Sequence, residues 1–284
     1  VALGSLSGMT VGVKPYQTGK GKPKQTKEVV EKRPFDATHQ KDSTYRQYLM
    51  GRDMGRYVIA PLEERWISYG EWLAEPRPEA PFSDPRRIIV RQTGDSIIAA
   101  IESEQRLTLN NIHNLRLKQD LVAMEYLLAL LNSKLITYFH QQVVPEADRV
   151  FAEVKIVDLQ QIPIRQIKPA TPPSERKQLA AKGCELCERG LSKKDAADAL
   201  DFVDKQLAED HADVIHDLLA FLAERMIELS KEKQTTAGKF LGDLKDFHSI
   251  DVHSLTPKTK LDEFWKLESA DVFAHLRKNN KALV

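Results

Sequence analysis

A chain of 284 residues, 42% hydrophobic and 29% charged, has the composition of a soluble globular protein with room for two domains. Its formal net charge of +1 excludes a uniformly basic or acidic chain, yet residues 1–60 hold 11 Lys/Arg against 5 Asp/Glu while residues 169–284 hold 18 against 21. The N-terminal end is therefore the one suited to a polyanion.

The first stretch, VGVKPYQTGKGKPKQTKEVV, opens as a strand end and continues as a loop. Lys14, Lys20, Lys22, Lys24 and Lys27 are interleaved with Gly19, Gly21 and Pro23, which suits neither a helix nor a continuous strand. Two readings stay open for it: a floppy solvated loop, or a mobile arm that neutralises phosphates. YRQYLMGRDMGRYVIAP then predicts two short strands around Gly51 and Gly55, and RWISYGEWLAEPR a strand, a Gly turn and a short helical piece. RRIIVRQTGD predicts a strand over 86–91 followed by a turn at Thr93–Asp95. On a strand Arg87 and Arg91 share one face and Arg86 takes the other. These arginines read equally as solvated strand ends or as donors delivered to a phosphate or a guanine edge. SIIAAIES and TLNNIHNLRL follow as further strands, the second alternating Leu109, Asn111, His113 and Leu115 against Ile112, Asn114 and Arg116.

From about Leu121 the period changes, and Leu127, Leu128, Leu131, Leu135, Ile136 and Phe139 predict one helix over roughly 122–141. The same region holds the longest apolar run, YLLALLNSKLITYF. It is interrupted by Asn132, Ser133 and Lys134 and falls short of the ~18 residues that cross a bilayer. KIVDLQQIPI reads as a closing extended segment. PATPPSER, residues 169–176, is the linker, with Ser174 as N-cap before Glu175. Beyond it LSKKDAADALDFVDKQL and DVIHDLLAFLAERMIELSKEKQ predict two helices broken around Glu209–Asp213, an antiparallel hairpin or short coiled coil. One or two short helices, capped at Thr256-Pro257, end the chain. The expected fold class is thus α+β: a β-rich domain with a packed helix over 1–168, then an all-α region over 169–284.

No catalytic set emerges from the residues. The sequence lacks a phosphate-binding loop, a Rossmann glycine fingerprint and a zinc-type His pair, and its carboxylates are too scattered for a Mg²⁺ nuclease centre. His211 and His216, like His248 and His253, are five apart, the wrong spacing for one helical face. Cys184 and Cys187 form a lone C-x-x-C in a helix-forming stretch, without a second pair for zinc or a redox context, so reduced thiols with no metal are expected. With no secretory leader pattern, the expected location is cytoplasmic.

Seven stretches in order, GVKPYQTGKGKP, YLMGRDMGRYVI, RWISYGEWL, PRRIIVRQTGD, TLNNIHNLRL, EYLLALLNSKLITYF and VKIVDLQQIPI, resemble the TaqI-like C-terminal specificity domain. This is the target recognition module of type IIG restriction-modification enzymes and DNA adenine-N6 methyltransferases. LLAFLAERMIELSKEKQ is similar to the region that follows the module in long single-chain restriction-modification proteins. The resemblance implies sequence-specific recognition of double-stranded DNA. It also implies an upstream methyltransferase domain with an Asn-Pro-Pro-Tyr motif and a glycine motif for S-adenosylmethionine. Neither motif occurs here, and the chain begins at Val1 rather than Met, so the sequence reads as a fragment that is itself non-catalytic and holds no cofactor. Its part is to hold the duplex while the missing domain flips the adenine out. S-adenosylmethionine, and Mg²⁺ if the parent protein also cleaves DNA, belong to that parent.

Under this reading Lys14, Lys20, Lys22, Lys24 and Lys27, with Tyr16 beside them, position phosphates. Arg52, Arg56, Arg86, Arg87 and Arg91 suit bidentate contacts to guanine or phosphate, and Asn110, Asn111 and Asn114 suit adenine. Each has a structural alternative: Arg52 pairing with Asp53 or Asp95, Asn110-Asn111 shaping a strand end. Two further functions stay open, a type I specificity-subunit fragment and a helical protein-interaction module on a β-rich scaffold. A helix-mediated dimer is among the arrangements the long helices allow.

Overall fold

The computed structural model describes residues 1–61, 63–118, 122–144, 152–248, 250, 255, 261 and 264–279. In chain order the elements are α1 (Leu3–Leu6), β1 (Ser7–Val11), α2 (Lys27–Lys32), β2 (Asp36–Ala37), β3 (Tyr45–Leu49), β4 (Met54–Gly55), β5 (Val58–Ile59), β6 (Trp66–Ser68), α3 (Ala80–Ser83), β7 (Arg87–Arg91), β8 (Ala99–Glu102), β9 (Leu107–Thr108), β10 (Ile112–Leu117), α4 (Met124–Leu131), α5 (Lys134–Val143), α6 (Ile156–Gln161), α7 (Pro173–Lys193), α8 (Ala197–Ala208), α9 (Ala212–His248) and α10 (Ser269–Asn279). The chain divides into two units, Val1–Glu228 and Leu229–Val284. The class is α+β, as the sequence predicts.

The first unit is built on an antiparallel four-stranded sheet in the order β1-β10-β7-β8. Alternation along β7 sends Ile88 and Val90 to one face, where they meet Leu115 and the Tyr126, Leu127, Leu128 and Leu131 stripe of α4. Ile89 goes to the other face, against Leu49, Met54, Ala100 and Ile112. Both faces are covered, which is why the strand reads as an unbroken apolar run. A second sheet, β2-β6-β3-β9, pairs β3 with β9 in parallel and encloses Val13, Tyr48, Ile67, Leu73, Phe82, Leu107 and Leu109.

Several expectations are corrected. TLNNIHNLRL, expected as one strand, is two strands around a turn at Asn110-Asn111, and Ile112, His113, Asn114 and Leu115 are all buried, so both of its faces are covered. The single helix over 122–141 is two, α4 and α5. Asn132 bonds both the N–H and the carbonyl of Ala99 at 3.0 Å, and Ser133 caps α5 by accepting from the Ile136 N–H. KIVDLQQIPI is helical over α6, which buries Leu159, and extends only afterwards, where Pro163 bridges Ala2. The piece after Trp66–Ser68 is a turn, pinned by the Trp72 indole donating to the Ser68 carbonyl. Ser174 lies inside α7, whose N-cap is Pro172, with Pro173 opening the helix at a preset φ.

The proline-rich stretch at 169–176 is fastened down. Thr171 is buried, and Asp213 at the start of α9 accepts from its N–H at 2.9 Å, from its hydroxyl at 2.6 Å and from the Ala170 N–H at 3.0 Å. Arg176 grips Asp217 with two hydrogen bonds. The break between α8 and α9 falls where expected, near Glu209. Cys184 and Cys187 lie on α7 as half-buried free thiols, both pushed above the ordinary thiol range by burial. The second unit gathers Leu244, Ile250, Leu255, Leu261, Val272 and Leu276 into its own core. The predicted cap at 256–257 lies outside the described residues.

Candidate nucleic-acid interface

Strand register decides where the predicted contacts emerge. β1 ends at Val11, opposite His113; β7 ends at Arg91, opposite Ile112; β8 begins at Ala99, opposite Val90. At this one end of the sheet the chain therefore presents four features. They are the start of the lysine loop, the 92–98 loop, the Asn110-Asn111 turn and, through the Tyr57 N–H donating to the Ala99 carbonyl at 3.0 Å, the β4–β5 hairpin that carries Arg56. Val13 bridging Leu109 ties the lysine loop to the asparagine turn.

The lysine loop is built rather than floppy. The buried Gln25 amide donates to the Pro15 and Trp72 carbonyls at 2.8 Å each and accepts from the Gln17 N–H at 2.9 Å. Gly19 and Gly21 turn the loop with φ of +81° and +85°, a conformation an L-residue adopts only at a cost. Lys20 and Lys24 project exposed, while Lys22 and Lys27 make exposed pairs with Glu71 and Glu31 and Lys14 donates to Gln17. Exposed pairs of this kind are worth about 0–1 kcal/mol and yield readily to a phosphate.

Tyr16 stacks on Phe35 at 5.4 Å and donates to Asp36, and its hydroxyl accepts from the Phe35 N–H at 2.9 Å. Burial, with Asp36 beside it, pushes its phenol up, so it stays neutral. Arg33, which the sequence reading missed, lies over the Tyr16 ring at 4.5 Å with Nε on Asp36. No local pattern announces this cluster, because its partners come from chain segments about twenty residues apart.

Three segments close on one another around Gly51. Its N–H donates to Asn111 Oδ1 at 3.1 Å, and a Cβ there would lie 3.3 Å from Arg91 Cγ. Arg91 Nε donates to the Thr93 carbonyl at 2.8 Å. Arg52 is exposed and pairs with Glu63 at 3.7 Å, not with Asp53 or Asp95. Asp53 is taken by Arg65 at 2.9 Å. Arg56 and Asn110 are exposed.

Arg86 and Arg87 belong to the opposite end of the sheet, where Arg87 pairs with Glu102 across β7–β8. Arg86 contacts Glu125. Arg87 and Asn114, read from the sequence as DNA contacts, are 0% exposed, which corrects that reading. Arg87 donates to Glu102 Oε2 at 2.7 Å, to Asn114 Oδ1 at 3.0 Å and to the Arg106 carbonyl. Asn114 also exchanges hydrogen bonds with Thr108 of β9. The pair fastens the two sheets together, and its donors are spent inside. Among the described residues no group of three or more His, Cys, Asp or Glu side chains could hold a metal ion, and no helix is long and apolar enough to cross a membrane.

Residues 46–164 match the TaqI-like C-terminal specificity domain. The matched segment carries the predicted arginines and asparagines and begins after the lysine loop. No curated protein matches the chain. Among solved structures, one similar chain comes from work on complex assembly and conformational transition of the type I R-M system. It has 15% identity and a TM-score of 0.37, with 78% of this chain and 45% of that one covered. Another is the type IIL restriction-modification enzyme MmeI in complex with DNA, with 11% identity and a TM-score of 0.35, covering 83% of this chain and 36% of that one. The chain spans less than half the length of either.

Proposed function

We propose, on the premise that residues 46–164 belong to the TaqI-like C-terminal specificity family, that this chain reads the sequence of double-stranded DNA. It acts as the recognition part of a type IIG restriction-modification enzyme or DNA adenine-N6 methyltransferase. One observation carries the reading: the lysine loop, Arg91 and Asn110-Asn111 leave the β1-β10-β7-β8 sheet at the same end, where the Arg56 hairpin bonds to Ala99 through the Tyr57 N–H. Exposed lysines there neutralise phosphates and set the register, and fixed polar side chains between them read base edges. In this proposal the target adenine is turned toward an S-adenosylmethionine-dependent domain outside this sequence, in the cytoplasm. In the same proposal that cofactor, with any Mg²⁺, is bound by the domain outside this sequence.

Fluorescence anisotropy of a labelled duplex between 50 and 200 mM salt tests it. If the five loop lysines each release one counterion, log K falls against log[salt] with slope about −4.5, a loss of about 500-fold over that range. Absence of duplex binding, or an affinity flat in salt, overturns the proposal.

A further inference from the structure

Nine arginines among the described residues are buried or half-buried, and eight of them hold a carboxylate within 4.0 Å. Arg91 is the ninth. No carboxylate among the described residues reaches it, although burial disfavours its charge and Asp95 opposes that only through space. A partly desolvated guanidinium without a counter-charge costs folding free energy, a cost that an acceptor outside the fold would offset.

The side chain is also anchored at one end and packed against two glycines. Nε is occupied by the Thr93 carbonyl, which leaves the two terminal amino groups. Gly94, at φ +136°, lies so close that a Cβ there would come within 3.2 Å of Arg91 Nη2, and a Cβ at Gly51 would come within 3.3 Å of its Cγ. Asn111, fixed through Oδ1 on the Gly51 N–H, keeps its own amide donors beside this site.

We infer that Arg91 is a specificity-determining residue that donates its two terminal amino groups to O6 and N7 of a guanine in the major groove, with Gly94 and Gly51 positioning it. The inference rests on the DNA-reading proposal above. Phosphate contacts are met by exposed, flexible cations, which the lysine loop supplies. A fixed two-pronged donor instead matches the paired acceptors that guanine alone presents in that groove.

The test begins by selecting bound duplexes from a randomised library with the whole chain, then compares wild type with Arg91→Lys, Arg91→Ala and Gly94→Ala by anisotropy, with thermal melts confirming the fold. The selected site carries a guanine whose replacement weakens wild-type binding roughly 5- to 150-fold. Arg91→Lys and Arg91→Ala lose discrimination at that base pair alone, and Gly94→Ala weakens it there. Arg91→Lys keeps the wild-type salt slope. Variants that bind every sequence more weakly, with discrimination intact and the Arg91→Ala slope smaller by about 1, make Arg91 a phosphate contact and overturn the inference while the DNA-reading proposal stands. Unchanged affinity of both arginine variants also overturns it. Failure of wild type to enrich any duplex overturns the proposal beneath it.

Discussion

Arg87→Ala removes a fully buried cation whose partner Glu102 is also 0% exposed. Breaking one half of a buried pair costs about 3–5 kcal/mol, because the remaining charge stays desolvated. Here Glu102 keeps Arg106 at 3.1 Å and the Glu104 N–H at 2.9 Å, so the low end, about 3 kcal/mol, is expected. For a unit of this size that lowers Tm by roughly 6–12 °C. Thermal unfolding read by tryptophan fluorescence in a Trp265→Phe background follows Trp66 and Trp72 of the first unit alone. Replacing both partners, Arg87→Met with Glu102→Leu, recovers most of the loss, since an apolar pair carries no desolvation cost. A drop below about 1 kcal/mol for Arg87→Ala refutes the reasoning, as does a double variant no better than the single.

Asn132→Ala takes both hydrogen bonds from Ala99 and leaves buried backbone groups unpaired, at about 2–3 kcal/mol in urea unfolding. Asp213 and Asp217 contribute to the acid limb of stability. Burial alone pushes Asp213 up, but the hydrogen bonds from Thr171 and Ala170 and the nearby Arg176 outweigh it. Asp217, likewise opposed by burial, is held down by Arg176 and His216. Their folded-state values are depressed, so their contribution is complete above about pH 4 and is lost as pH falls through that range; the Asp213→Asn, Asp217→Asn variant flattens this limb of a Tm-against-pH curve. His113 and His140 act higher. Burial lowers both, so the unfolded chain takes up protons first, and stability falls as pH drops below about 6.5. His113→Gln with His140→Phe shrinks the Tm change between pH 7 and 5.

The strands and the long helices were legible because their apolar residues repeat at the right period. What pattern could not tell was which face or end a polar residue serves. Arg87 and Arg91 are the same residue type, four apart on one face of one strand. One meets Glu102, Arg106 and Asn114, all far along the chain, and the other meets none of them. Asn132-Ser133 was visible as a polar interruption in an apolar run. Its meaning, a backbone clamp followed by a helix cap, depends on Ala99 lying opposite. The lysine loop announced itself through glycine and proline, whereas its order comes from one buried glutamine whose acceptors are Pro15 and Trp72.

In the proposed function, DNA meets the end of the β1-β10-β7-β8 sheet that carries Arg91 and the lysine loop. The salt slope of duplex binding measures it, compared between Lys20→Gln/Lys22→Gln/Lys24→Gln/Lys27→Gln at that end and Arg86→Gln at the other. The slope should shrink by about 3.6, at roughly 0.9 for each phosphate no longer neutralised, in the quadruple variant and stay at the wild-type value for Arg86→Gln. An unchanged slope in the quadruple variant, or a smaller slope in Arg86→Gln alone, would contradict it.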